Sequence, residues 1–197
     1  MITPGINFTN FKKKDVNKKL KKSFLTLISE KNDLLLSLSK NYKNSFKNKN
    51  LKKYKKNTNF RLIGMGGSTL GAQTIYQFLN HKIKKKFSFI DNLQVRQKKN
   101  NIKATNIIIS KSGNTIETIV NANIFIKKTD TNIFITKNNK NYLHILANNL
   151  KAEIIHHNNY IGGRYSVLSE VGMLPAELMD LKSDHFRQFN SLIKNKY

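Results

Sequence analysis

The chain has 197 residues, enough for one domain with a sizeable core. Lysine and arginine total 36 against 11 acidic residues, a formal charge of +25 and a pI near 10.2, which by default points to a polyanion partner. Cysteine is absent, removing disulfides, thiolate zinc sites and thiol nucleophiles; the amino terminus lacks the apolar core of a secretory leader and no stretch approaches the ~18 apolar residues of a membrane span, so a cytoplasmic location without membrane contact is expected.

Residues 1–56 read as a basic helical segment. Val16, Leu20, Phe24, Leu27 and Ile28 recur at helical spacing and residues 34–38 continue the apolar face. Basic amphipathic helices bind membranes and nucleic acids, but a face of this width more often packs on its own domain, and that is the expectation here. Lysine, asparagine and isoleucine are abundant throughout while arginine is scarce, the signature of AT-rich coding. A dedicated nucleic-acid binder concentrates charge in one stripe, so specific recognition of nucleic acid ranks lowest among the readings. Residues 47–56, polar and lysine-rich, form a linker into the first strand.

Residues 57–157 alternate short buried strands with helices. The predicted strands are 60–63, 87–90, 107–109, 133–136 and a short fifth at 153–155. Between them, Ile75, Phe78 and Leu79 mark one helix face, Ile116, Ile119, Val120 and Ile124 a second, and Tyr142, Leu143, Leu146 and Leu150 a third. Isoleucine runs without polar alternation, joined by helical crossovers, predict an α/β fold: a doubly wound parallel sheet flanked by helices, with a helical amino-terminal extension. The lysine-rich segments 82–86 and 98–103 fall between elements and read as solvated. Residues 158–197 open with Gly162-Gly163-Arg164 and turn helical through Val167, Leu168 and Val171, then Leu174, Leu178 and Leu181. Pro175 interrupts or starts a helix there.

Chemistry concentrates at two strand-to-helix junctions. After the first strand, Gly64-Met65-Gly66-Gly67-Ser68-Thr69 precedes a helix. The opening N–H groups of a helix lack intrahelical partners and favour an anion, glycines allow close approach, and Ser68 and Thr69 add hydroxyls that can cap the helix and bond an oxyanion. The dinucleotide fingerprint wants a glycine where Thr69 stands, and no Lys-Ser or Lys-Thr pair follows Gly71 as a P-loop requires. On this loop alone, phosphate binding and a structural turn stand level. After the third strand comes Ser110-Lys111-Ser112-Gly113-Asn114-Thr115-Ile116-Glu117-Thr118. Ligands bind outside the carboxyl ends of parallel strands, so the two loops could converge on one anion, with Ser110, Ser112, Thr115 and Thr118 as donors.

These two loops, followed by Gly162-Gly163-Arg164-Tyr165-Ser166-Val167, resemble in order three motifs of the glucose-6-phosphate isomerase family, whose folds are built from sugar isomerase domains. The resemblance covers residues 57–181. It implies isomerisation of glucose 6-phosphate and fructose 6-phosphate, in glycolysis and gluconeogenesis, through a cis-enediolate. The substrate phosphate would be held by Gly67, Ser68, Ser110, Lys111, Ser112 and Thr115, with Thr118 close by, and Arg164 would stabilise the enediolate. No metal or cofactor is implied. Ser-Gly-Asn stands in the second loop where many members carry threonine and aromatic residues.

The family's proton-shuttling glutamate, ring-opening histidine and catalytic lysine belong to a second domain and have no counterpart in this chain, so a homodimer or a missing second sugar isomerase domain is expected. Glu30, Glu153, Glu170 and Glu177 lie outside the two loops, leaving Glu117 as the one carboxylate within them. It reads either as a base or as a helix-start carboxylate favoured by the dipole. His156 and His157 read as a solvated pair, with ring opening the competing role. A non-catalytic phosphosugar-binding module is the alternative function.

Overall fold

A computed structural model describes residues 17–30, 32–93 and 103–187. Val16, residues 98–102 of the second lysine-rich segment and residues 188–197 of the tail lie outside them. Five strands, β1 (Asn59–Ile63), β2 (Lys86–Ile90), β3 (Thr105–Ile109), β4 (Asn132–Thr136) and β5 (Glu153–His156), form one sheet in the order β2-β1-β3-β4-β5. Every pairing is parallel. The helices are α1 (Lys18–Ser29), α2 (Asp33–Ser37), α3 (Asn48–Lys55), α4 (Leu70–Phe78), α5 (Ile116–Phe125), α6 (Tyr142–Asn149) and α7 (Glu170–Leu178).

The two-residue period of the strands divides the core. Phe60, Leu62, Ile107, Ile109, Ile133, Ile135 and Ile155 face one side, packed by Leu51 and Tyr54 of α3, Ala72 and Ile75 of α4 and the apolar residues of α7. Ile63, Ile90, Ile108 and Phe134 face the other, under Ala122 of α5 and Leu143 and Ala147 of α6. Every residue of β3 and β4 is buried, because both faces are covered; this is why their sequences show no polar alternation. The expected doubly wound α/β sheet is present.

Its connections fix where a ligand can sit. The β1-α4-β2 unit runs toward one edge and the β3-α5-β4-α6-β5 run goes toward the other, so the winding reverses between adjacent β1 and β3. Beyond their carboxyl ends the chain passes to α4 on one face and to α5 on the other, the position at which open α/β sheets form a ligand crevice.

Several expectations about helix faces are corrected. Leu20, Phe24 and Leu27 of α1 are 65%, 43% and 47% exposed, so this stripe does not pack on the domain. The segment before β1 is anchored instead by Tyr42, Phe46, Leu51 and Tyr54, whose burial follows no single helical period, so residues 47–56 are not the expected linker but carry α3 into the core. On α4, Ile75 is buried while Phe78 is 80% exposed. On α5 the expected face is largely inverted: Ile116, Val120 and Ile124 are exposed, and Thr118, Asn121 and Ala122 lie against the sheet. Small and amide side chains suit this close approach, and Asn121 Nδ2 donates to Asn92 O at 3.0 Å beyond the end of β2. Residues Gly163–Leu168 form a 3-10 helix, with Pro175 inside α7 and not at a boundary. No helix among the described residues is long and apolar enough to cross a membrane.

Candidate functional site

The first loop leaves β1 at Gly64, whose N–H still donates to Ile90 O (3.1 Å) as a ladder extension. A Cβ on Gly64 would stand 2.9 Å from Ile109 O, so the loop lies hard against the end of β3. Gly66 takes φ +54°, and Thr69 closes a 3-10 turn with its N–H (2.9 Å) and hydroxyl (3.1 Å) both donating to Gly66 O. Thr69 is therefore buried and turned inward, and its side chain does not cap α4. Ser68 is half-buried, and among the described residues its hydroxyl has no partner.

The second loop gathers three hydroxyls. Ser110 Oγ lies 2.9 Å from Thr115 Oγ1 and 3.4 Å from Ser112 Oγ, and Ser112 Oγ lies 3.4 Å from Thr115 Oγ1. Ser110 is buried, Thr115 half-buried and Ser112 exposed, so the cluster runs from the protein interior to solvent. Thr115 precedes α5 without committing its side chain to a cap; the hydroxyls and the helix's first N–H groups together form an anion-seeking set.

A corner between β4 and α6 braces this loop. Gly113 has φ +69°, and a Cβ there would fall 1.9 Å from Asn141 Oδ1, so only glycine fits. Asn141 in turn caps α6 by accepting His144 N–H at 2.9 Å. Leu143 N–H donates to Gly113 O (3.1 Å), Tyr142 N–H to Asn114 Oδ1 (3.0 Å) and Lys137 N–H to Lys111 O (3.3 Å).

The third motif meets the first through bare backbone. A Cβ on Gly67 would lie 2.2 Å from Gly163 O and 3.0 Å from Arg164 N, so the two glycines hold the first loop against the Arg164 turn. Ser166, fully buried, donates to Gly163 O (2.7 Å) and reaches Gly67 O (3.3 Å). Arg164 itself is exposed, and its guanidinium has no partner among the described residues.

The structure thus places Gly67, Ser68, Ser110, Lys111, Ser112, Thr115 and Arg164 on loops at or beside the β1/β3 crevice. Thr118 differs: it has no exposed surface, its hydroxyl has no partner among the described residues, and it lies one turn into α5 beneath the three-hydroxyl cluster. A direct bond from Thr118 to an anion would need the residues above it to move aside. Lys111 is half-buried; burial, and then Lys137 beside it, pull its pKa below the usual lysine range. Glu117 stands in the first turn of α5, half-buried and outside any ion pair among the described residues.

The two histidines part company. His156 is exposed and its Nδ1 accepts Asn138 N–H (3.1 Å). His157 is 1% exposed, so the solvated-pair reading fails for it. Its Nδ1–H donates to Asn158 O (2.9 Å) and sits 3.9 Å from Glu170 Oε1, while burial pushes its pKa down. Periodicity and loop composition gave no sign of Asn141, and no structural role to Ser166, which stands in the third motif, or to Glu170, which lies outside the two loops. Among the described residues, no three histidines or carboxylates come together as a metal site.

Comparison with known proteins gives a consistent result. Residues 17–194 match the family model for phosphoglucose isomerase. The glucose-6-phosphate isomerase of Methanocaldococcus jannaschii is 34% identical over 142 residues, 64% of this chain and 35% of that protein. That of Mycoplasma genitalium is 34% identical over 146 residues, 64% of this chain and 34% of its own. The chain spans about a third of the length of these curated relatives. A solved structure of a hypothetical protein from Thermus thermophilus shares the fold, with a TM-score of 0.70 at 20% identity over 91% of this chain and 48% of that one.

Proposed function

The chain belongs to the phosphoglucose isomerase family, and from that premise we propose that it binds a hexose phosphate at the β1/β3 crevice and serves the interconversion of glucose 6-phosphate and fructose 6-phosphate. The observation that carries this reading is the cluster of Ser110, Ser112 and Thr115, whose hydroxyls lie 2.9–3.4 Å apart at the head of α5. Hydroxyls grouped this closely can turn their O–H groups toward a single phosphate dianion. Neutral donors and helix N–H groups hold it without tight ion pairing, and Lys111 adds one cation.

Binding energy from the non-reacting phosphate then positions the carbons at the other end of the sugar. Proton transfer between C1 and C2 needs a carboxylate, and the enediolate oxygens need a cation. Arg164 fills the second role, with a guanidinium that no protein carboxylate among the described residues neutralises. Glu117 is the one carboxylate within the two loops. Its position in the first turn of α5 also suits a dipole-stabilising role. A partner subunit or second sugar isomerase domain would supply the remaining acid–base groups in the cytoplasm.

The second reading is a phosphosugar-binding module without turnover, favoured by two loops that carry hydroxyl donors but Glu117 as their one carboxylate. One paired experiment separates them: fructose 6-phosphate turnover in a coupled assay, with 6-phosphogluconate binding by calorimetry. Turnover abolished by Glu117→Gln supports the isomerase reading with Glu117 as base. Turnover that survives it assigns the base elsewhere. Binding without turnover supports the module, and absence of both refutes the phosphosugar site.

A further inference from the structure

We propose that Tyr42 and Glu170 are positioning residues for Arg164, acting through the segment that leads into its turn; this rests on the role given to Arg164 above. Glu170 opens α7 with no exposed surface. A buried carboxylate persists only where donors meet it. Oε1 accepts Asn158 N–H at 2.6 Å and Oε2 accepts the Tyr42 hydroxyl at 2.9 Å.

Those donors come from opposite parts of the chain. Asn158 begins the six-residue run 158–163 from β5 to the Arg164 turn, and Ser166 holds its far end at Gly163 O. Within the run, Tyr160 is 80% exposed, its N–H donates to Asn158 Oδ1 (2.8 Å) and Ile161 is buried, so the run is held at Asn158, at Ile161 and at Gly163. Tyr42 belongs to the segment before β1. Its ring carries the Arg187 guanidinium 5.0 Å from the centroid, and Arg187 also donates to Leu168 O (2.7 Å) and Asn44 Oδ1 (2.6 Å). Two further bonds join the same segment to this region: Asn158 Nδ2 to Asp33 Oδ2 (3.2 Å) and Ser45 Oγ to His156 O (2.5 Å).

The arrangement is a latch. The amino-terminal segment closes on a buried carboxylate, the carboxylate fixes the start of the run, and the run sets where the turn delivers an otherwise unsupported guanidinium. The three-hydroxyl cluster of the second loop does not depend on it, because that loop is braced from Asn141 and α6, whereas the first loop touches the Arg164 turn through Gly67. The latch therefore acts on the reacting end of the sugar and spares the phosphate end.

The test is Tyr42→Phe, which deletes one donor with little change in volume, made in the full chain with Arg164 and with Arg164→Gln. Calorimetry compares inorganic phosphate, which needs only the loops, with 6-phosphogluconate, whose carboxylate reaches toward Arg164. Tyr42→Phe should leave phosphate affinity within about twofold and weaken 6-phosphogluconate about tenfold, with no further weakening once Arg164 is glutamine. Exchange of the 158–164 amides should quicken in the same variant. Equal weakening of both ligands, or undiminished weakening in the Arg164→Gln background, overturns the proposal and leaves a packing role. Should Tyr42→Phe fail to fold, Glu170→Gln carries the same comparison. The premise is read separately: if Arg164→Gln alone leaves 6-phosphogluconate affinity unchanged, the role of Arg164 fails and the latch with it.

Discussion

The second loop and the Arg164 turn flank one crevice but are built in opposite ways. In the loop, the functional groups are themselves part of the scaffold: Ser110, Ser112 and Thr115 bond one another, Ser110 Oγ accepts Gly113 N–H (3.2 Å), and a capped helix stands behind. In the turn, Arg164 touches no described partner, and all the support lies in backbone contact at Gly67 and Gly163 and in buried groups farther away. Donors built into a rigid corner suit an anchor that must be ready before ligand arrives. A long cation on a supported hinge suits charge that develops only during reaction.

That contrast can be broken from either side. The largest effect is expected from Ser110→Ala combined with Thr115→Ala, which should weaken hexose phosphate by about two orders of magnitude, since hydrogen bonds to a charged group contribute ~1.5–3 kcal/mol each. Ser88→Ala, removing a hydroxyl that bonds Phe60 O at 3.3 Å, is the control and should leave affinity unchanged. Equal affinities for the two variants in calorimetry would place the phosphate elsewhere. Next comes Gly67→Ala. Its Cβ must displace the Gly163 backbone, so urea titration should report a loss of ~1–3 kcal/mol. 6-Phosphogluconate should weaken more than inorganic phosphate, because the turn and the first loop move while the hydroxyl cluster of the second loop, braced from α6, does not.

Asn141→Ala tests the brace, and should cost ~1 kcal/mol as a lost helix cap and loosen phosphate binding several-fold. The smallest effect concerns acid. His157 is held below its usual pKa by burial, so the unfolded chain binds the proton more readily. The stabilisation is fully present above the unfolded value of ~6.5 and is lost as pH falls below it and through the lower folded value. Urea midpoints should decline below that pH, and less steeply in His157→Gln; parallel declines would remove His157 as the cause.

The sheet was legible from sequence because isoleucine runs between turn signals leave a buried parallel strand as the simplest reading, and each predicted strand lies within its observed counterpart. The positions of the loops were legible for a related reason: glycine and hydroxyl residues punctuate the chain where β1 and β3 end, although composition alone leaves phosphate binding level with a structural turn at the first loop. Helix faces were misread on α1 and α5, where apolar spacing does not say which side meets the sheet. On α5 the decision falls to Asn121 and Ala122, an amide with a specific acceptor and a side chain small enough for close approach. Glu170 reads from sequence only as lying outside the loops and nothing there singles out Tyr42, because the two are 128 residues apart and joined only by folding.

The late position of α7 in the chain also bears on how a newly made molecule begins life. One side of the sheet receives α5 and α6 as its strands are synthesised, whereas Phe60, Leu62, Ile107 and Ile109 wait for residues of α7 to complete their cover. At ordinary translation speed the interval between β1 and α7 is on the order of ten seconds. For that time an isoleucine-rich surface faces the ribosome exit and its attendant chaperones, and the side of the sheet that closes last is the one a nascent chain must have sheltered.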